Sequence, residues 1–195
     1  LLHHLHTQQS PVVFVENRLI CSLFGLLCWP AIFAPIRGAF FHRFQAAPVD
    51  LWAPDFVQRR WALFEDCLRE LECSDYRSTI LERFESKFGV RSAFVHWQAL
   101  TAELLEHALR FIPANHLRLF FDRMLLNLRE NTSGLSDLIQ FNWGDSGYRM
   151  IEVKGPGDQL QDHQRRWLEY GRRHGLPLEV HRVRWSCASN VSAAG

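Results

Sequence analysis

Two stretches with period-two alternation flank one turn signal, and this arrangement restricts the fold more than any other feature of the chain. Residues 135–142 put Leu135, Asp137, Ile139 and Phe141 on one face, and residues 148–154 do the same for Tyr148, Met150, Glu152 and Lys154. Gly144-Asp145-Ser146-Gly147 lies between them, so the segment reads as a β-hairpin. If the turn centres between Gly144 and Asp145, the numbers of paired residues sum to 289, which sets Asp137 opposite Glu152. Their Cβ atoms would then lie about 4.5–5.5 Å apart. Two facing carboxylates repel, and each interrupts a largely apolar face. A hard divalent cation such as Mg²⁺ or Mn²⁺ resolves both problems, because it takes oxygen ligands. Lys154 projects from the same face as Glu152. On spacing alone, a salt bridge at a strand end accounts for it equally well, and a one-residue slip of register would undo the whole arrangement.

Helical spacing surrounds the hairpin. Residues 12–15 are a short apolar entry, and a helix is expected over residues 17–29. A looser stretch runs on through Ala46-Ala47-Pro48. Helices are expected over 55–72, over 75–87 closed by Gly89, over 97–112 ending before Pro113, and over 115–130. After the hairpin, Gly155-Pro156-Gly157 ends the second strand. A helix over 158–174 closed by Gly175 and a third strand over 178–183 follow. Two more polar residues occupy apolar positions. Glu16 shares a helix side with Ile20, Leu23 and Leu27, where an electrostatic preference for the helix N-terminus explains it slightly better than ligation does. Gln164 lies among Leu160, Trp167, Leu168 and Gly171, so its amide must orient water, orient Lys154 or bond backbone.

Composition removes several classes. At 195 residues and 47% hydrophobic, the chain can bury a core and is not disordered. Leu1 and the non-basic start identify no signal peptide and suggest a fragment lacking N-terminal partner domains. The uncharged run over residues 19–36 is interrupted by Pro30 and Pro35, which favours a buried helix over a membrane span. The five cysteines form no Cys-x-x-Cys, arguing against a disulfide framework or zinc site and for a reducing compartment. His3, His4 and His6 read as surface histidines of a frayed terminus. Charge is uneven: residues 165–184 carry six Arg against two Glu, so this face could meet phosphates or simply be solvated.

Asp137, followed by Glu152-Val153-Lys154, resembles the PD-(D/E)XK nuclease pattern. Gly134-Leu135-Ser136-Asp137-Leu138 is similar to the GLPDL element of the virus-type replication-repair nuclease (VRR-NUC) family, with Ser136 where that family usually has Pro. Residues 152–160, with Gln164 and Trp167, resemble its EVKGPxDxLxxxQxxW signature. Glu16, the run Leu23-Phe24-Gly25-Leu26-Leu27-Cys28-Trp29 and the stretch Gln45-Ala46-Ala47-Pro48-Val49-Asp50-Leu51 are similar to the Fanconi-associated nuclease branch.

The resemblance implies an α/β fold with a PD-(D/E)XK core: a small mixed sheet flanked by helices, plus an all-helical insertion. It divides the chain into a core helix region (14–45), the insertion (46–127), a catalytic sheet and helix (128–186) and a tail (187–195). It implies that Glu16, Asp137, Glu152 and the Val153 carbonyl hold one or two Mg²⁺ or Mn²⁺ ions. Lys154 becomes the catalytic lysine, with Gln164 beside it. Arg165, Arg166, Arg172 and Arg173, and more weakly Arg37, His42 and Arg43, become candidate phosphate contacts. The implied activity is 5′-flap endonuclease and 5′-to-3′ exonuclease cleavage of branched DNA in crosslink repair. The implied protein is a monomer without a membrane partner, in the cytoplasm and nucleoid of a bacterium, or in the nucleus of a eukaryote. The alternatives are a homodimeric Holliday-junction resolvase, since stand-alone relatives are of that kind, and a DNA-binding module with an idle metal site.

Overall fold

The computed structural model describes residues 2–42, 44–73, 75–144 and 146–184. The chain opens with α1 (Leu2–Leu5), β1 (Val12–Phe14), α2 (Arg18–Leu27) and α3 (Trp29–Ile32). It continues through α4 (Phe56–Arg59), α5 (Trp61–Arg69) with a 3-10 turn at Glu70–Glu72, α6 (Tyr76–Ser86), α7 (Ala102–Phe111), α8 (Ala114–Leu126) and α9 (Leu128–Asn131). It closes with β2 (Leu138–Asn142), β3 (Gly147–Lys154), α10 (Asp162–His174) and β4 (Leu178–Arg182).

The strands form one sheet in the order β1-β2-β3-β4. The first two pairings are antiparallel and the last, across the α10 crossover, is parallel. The hairpin takes the expected register, with Leu138 opposite Ile151, Ile139 opposite Met150 and Gln140 opposite Arg149. The first ladder partner of β2 is Leu138, so Asp137 sits one residue ahead of it. The apolar entry at residues 12–15 is itself an edge strand, with Phe14 opposite Leu138. Three residues are too few to show an alternation, which is why the pattern did not reveal β1.

One face of the sheet joins the main core. Ile139, Phe141, Tyr148 and Met150 share a buried cluster with Phe24 and Leu27 of α2, Phe64 of α5, Ile80 of α6 and Trp167 of α10. The helices of residues 46–127 therefore pack into the same core as the sheet. The opposite face is a small cluster of Val12, Leu138 and Ile151, with Leu5 and Val153 against it.

The uncharged run at 19–36 resolves into the ten-residue α2 and the short α3, whose first turn carries Pro30. No helix among the described residues is long and apolar enough to cross a membrane.

Three local expectations change. The helix expected from residue 97 starts at Ala102, where the Thr101 hydroxyl caps it by accepting the Leu104 N–H at 3.1 Å. The helix expected from 158 starts at Asp162, because Asp158 instead closes a turn on the Gly155 N–H at 2.9 Å. The N-terminal histidines are not all frayed: His6 Nδ1 accepts the Val12 N–H at 3.1 Å and ties the segment to β1. The tail at 187–195, with Cys187, lies outside the described residues.

Candidate active site

β3 is paired on both sides, by β2 and by β4, which places its side chains deep in the fold. Glu152 is 2% exposed and Lys154 8%, and they point the same way because a strand repeats every two residues. Lys154 Nζ lies 2.7 Å from Glu152 Oε1. Gln164, in the first turn of α10, completes a ring with both. Its Nε2 donates to Glu152 Oε1 at 2.6 Å, and its Oε1 accepts from Lys154 Nζ at 3.0 Å and from the Gln161 N–H at 2.9 Å. Gln164 thus holds the lysine and also bonds backbone. The amide bridges the ammonium and the carboxylate and reinforces their direct contact without adding charge.

Asp137 stands on the neighbouring strand end, where its Oδ2 accepts the Val153 N–H at 2.8 Å. Burial pushes the Glu152 carboxyl above its usual range, and the Asp137 charge adds to the rise. The ammonium of Lys154 opposes it through both hydrogen bond and charge. Burial therefore outweighs the help that Lys154 gives the charged form.

Glu16 departs from the helical placement read from the sequence. It lies before α2, at the junction with β1, with φ +46°. Such a conformation costs on the order of 1–3 kcal/mol for a residue with a Cβ, and the surroundings must impose it. Here they do: the Val15 and Glu16 N–H groups both donate to the Asp137 carbonyl, at 2.8 and 3.0 Å. The Glu16 backbone is thereby pinned beside Asp137, while its carboxylate turns to Arg18, Oε2 to Nη2 2.7 Å. Among the described residues no three His, Cys, Asp or Glu side chains are gathered closely enough to hold an ion. The chemistry of the donor set nonetheless fits a divalent cation. All three candidate side chains offer hard oxygens, and the Asp137 carboxylate adds to the burial that already disfavours the charged form of Glu152.

Two residues lock the approach to Asp137. Asn17, just before α2, accepts the Leu135 N–H on its Oδ1 at 2.9 Å. The sequence offered it only as a helix-start residue. Gly134 has φ +86°, and a Cβ there would fall 2.5 Å from His163 Cδ2 and 2.8 Å from the His163 carbonyl carbon. Beside it, Trp167 donates its indole N–H to the Ser133 carbonyl at 3.0 Å. Gly134 therefore lets α10, and with it Gln164, sit against the Asp137 segment. Gly134→Ala is expected to cost at least about 1–3 kcal/mol from backbone conformation alone, lowering the thermal midpoint and slowing any cleavage. An unchanged melting curve would contradict this packing role.

The candidate phosphate contacts are scattered on exposed ground. Arg165 donates to the Leu160 carbonyl at 3.1 Å, Arg166 lies 3.7 Å from Glu130, and Arg173 pairs with Glu169. Arg172 and Arg37 are exposed, and His42 accepts the Phe44 N–H, while Arg43 lies outside the described residues. Exposed pairs of this kind are worth about 0–1 kcal/mol and yield readily to a phosphate.

A mixed sheet bearing Asp on one strand end and Glu-x-Lys on the next, backed by a helix that supplies Gln, is a PD-(D/E)XK fold. The VRR-NUC domain model matches residues 72–185, and the chain belongs to that family. The Fanconi-associated nuclease 1 homolog of Pseudomonas aeruginosa is 56% identical over 182 residues, 93% of this chain and 33% of the relative. The homolog of Oryza sativa is 29% identical over 172 residues, 86% of this chain and 18% of the relative. A crystal structure described as paFAN1 bound to DNA with a two-nucleotide 5′ flap and a gap superposes with TM-score 0.94. It is 54% identical, across 96% of this chain and 34% of that one. The chain thus spans about a third of its Pseudomonas relative.

Proposed function

We propose that this chain is the nuclease domain of a structure-specific DNA nuclease. It cuts branched DNA near a 5′ flap, degrades DNA 5′ to 3′, and serves in the repair of interstrand crosslinks. The observation that carries the reading is the closed Glu152–Lys154–Gln164 ring with Asp137 one strand away. The DNA-bound relative supports the substrate class. Asp137, Glu152, the Val153 carbonyl and a rotated Glu16 would hold one or two Mg²⁺ or Mn²⁺ ions. A bound divalent cation lowers the pKa of a water and offsets charge developing on the phosphate. Lys154, fixed by Gln164, presents its ammonium where it can position the nucleophile by hydrogen bond or offset the charge developing on the phosphate oxygens. Gln164 keeps that ammonium from swinging out to solvent. The domain acts as a monomer at chromosomal DNA, in a bacterium the nucleoid. A solution mass of one chain checks the first point.

The reading is tested by incubating the chain with Mn²⁺ and a 5′-flap DNA. Cleavage near the junction is expected, and no cleavage of the flap by a folded, metal-loaded chain contradicts it. A pH effect accompanies it. Without a cation, Glu152 has a folded pKa above its unfolded value. Its favourable contribution to stability is present below the unfolded pKa and is lost as pH rises through the raised one. A cation competes with the proton for this group. The rise in melting temperature on adding Mn²⁺ is therefore expected to be larger at pH 8 than at pH 5. Equal rises at both would contradict ligation by Glu152.

A further inference from the structure

The helical stretch between Glu16 and Asp137 returns to the candidate active site along one face of α2. Gly25, Ser22 and Arg18 recur at helical spacing on that face. At Gly25 the approach is so close that a Cβ would lie 2.8 Å from Phe94 Cβ and 2.9 Å from Val95 Cγ2. One turn earlier, Ser22 Oγ accepts the His96 N–H at 3.0 Å. A further turn back, Arg18 faces a cavity of about 820 Å³ that His96, Trp97, Gln98 and Ala99 also line. The 94–99 segment thus runs against α2 toward its N-terminal end and delivers these side chains beside Arg18. Arg18 in turn contacts Glu16, whose backbone is fixed to Asp137.

This cavity suits a phosphodiester. A guanidinium has five N–H donors, and Glu16 engages Arg18 through Nη2 alone in this arrangement. Desolvation and the adjacent Arg18 charge hold the His96 imidazole below its usual range, so at neutral pH it supplies a neutral N–H and Arg18 supplies the charge. Gln98 is exposed and brings an amide donor. Trp97 forms a fixed wall, with its indole N–H on the Val90 carbonyl at 2.7 Å and its ring against Phe84 and Phe88. We propose that the Arg18–His96–Gln98 cavity is a DNA subsite that binds a backbone phosphate next to the scissile one. The inference rests on the nuclease reading above. Arg18 then has two partners, Glu16 in the free protein and a phosphate when DNA and a cation are bound.

The test is a charge-neutralisation scan. Binding is measured by fluorescence anisotropy in Ca²⁺, a hard-oxygen cation offered in place of the catalytic one, with Asp137 retained and 5′-flap DNAs that each carry one neutral methylphosphonate near the junction. One position is expected at which neutralisation weakens binding roughly tenfold, the worth of one charge-assisted contact. Arg18→Gln and His96→Ala are each expected to weaken binding of unmodified DNA. In both variants, neutralising that position should cost little further. His96→Ala leaves the Glu16 partner in place, so its result is free of any change at Glu16, and melting curves confirm that both variants fold. Parent-like binding by both variants, or losses that add at every position, overturns the subsite. If the coupling appears and the unsubstituted chain never cleaves, the subsite stands and the nuclease reading falls. Failure of the parent to bind DNA overturns both.

Discussion

Asp137→Ala is expected to lower Mn²⁺-supported cleavage of a 5′-flap DNA by at least about 10²–10³-fold, because it removes a carboxylate that would hold the cation offsetting the developing charge. Binding of that DNA should change little. Asp137 has a structural role too, accepting the Val153 N–H at 2.8 Å, and its carbonyl anchors the Val15 and Glu16 N–H groups. The carbonyl survives any substitution of the side chain. Asp137→Asn keeps an oxygen for Val153 and removes only the charge, so it separates the two roles. The expected result is that Asn melts like the parent yet is as inactive as Ala. Full cleavage by Asp137→Asn would reject Asp137 as a ligand. Cleavage that persists in both variants would reject the site as a whole.

Lys154→Met is expected to have the second-largest effect. Methionine keeps the apolar stem but leaves Glu152, 2% exposed, without its cation. Breaking a buried pair by removing one partner costs about 3–5 kcal/mol. The Gln164 amide still donates to Glu152, so the low end is expected. Glu152 already titrates above its usual range, and losing Lys154 removes both of the contributions that lower it. The charged form is what becomes costly, so the destabilisation should grow from pH 5 to pH 8 as the carboxyl ionises. Cleavage should fall by at least about 10²-fold at saturating DNA. Parent-like thermal stability at pH 8, together with parent-like turnover, would remove Lys154 from the account. Lys154→Arg is not expected to rescue, because a planar guanidinium cannot occupy the point position that Gln164 Oε1 fixes.

The hairpin register was legible because strand side chains repeat every two residues and the turn had one strong signal. That register set Asp137, Glu152 and Lys154 on one side, and the period of α10 added Gln164. What the sequence did not disclose depends on contacts between distant segments. The left-handed conformation of Glu16 is imposed by a carbonyl 121 positions away, at Asp137, so no local pattern marks it. The strand at residues 12–14 exists because β2 offers it an edge. The stretch before Thr101 has apolar spacing compatible with helix, but Ser22 and Gly25 bind its start in an irregular form. That deviation brings His96 and Gln98 to Arg18. The resemblance to the VRR-NUC family pointed to the acids and the lysine and was silent about this cavity.

The most direct measurement is anomalous scattering from crystals of the chain soaked in Mn²⁺. A peak flanked by the Asp137 and Glu152 carboxylates is expected, with Glu16 turned away from Arg18 toward it. Saturating Mn²⁺ that leaves no peak there, and leaves the Glu16–Arg18 pair intact, would contradict ligation by these carboxylates.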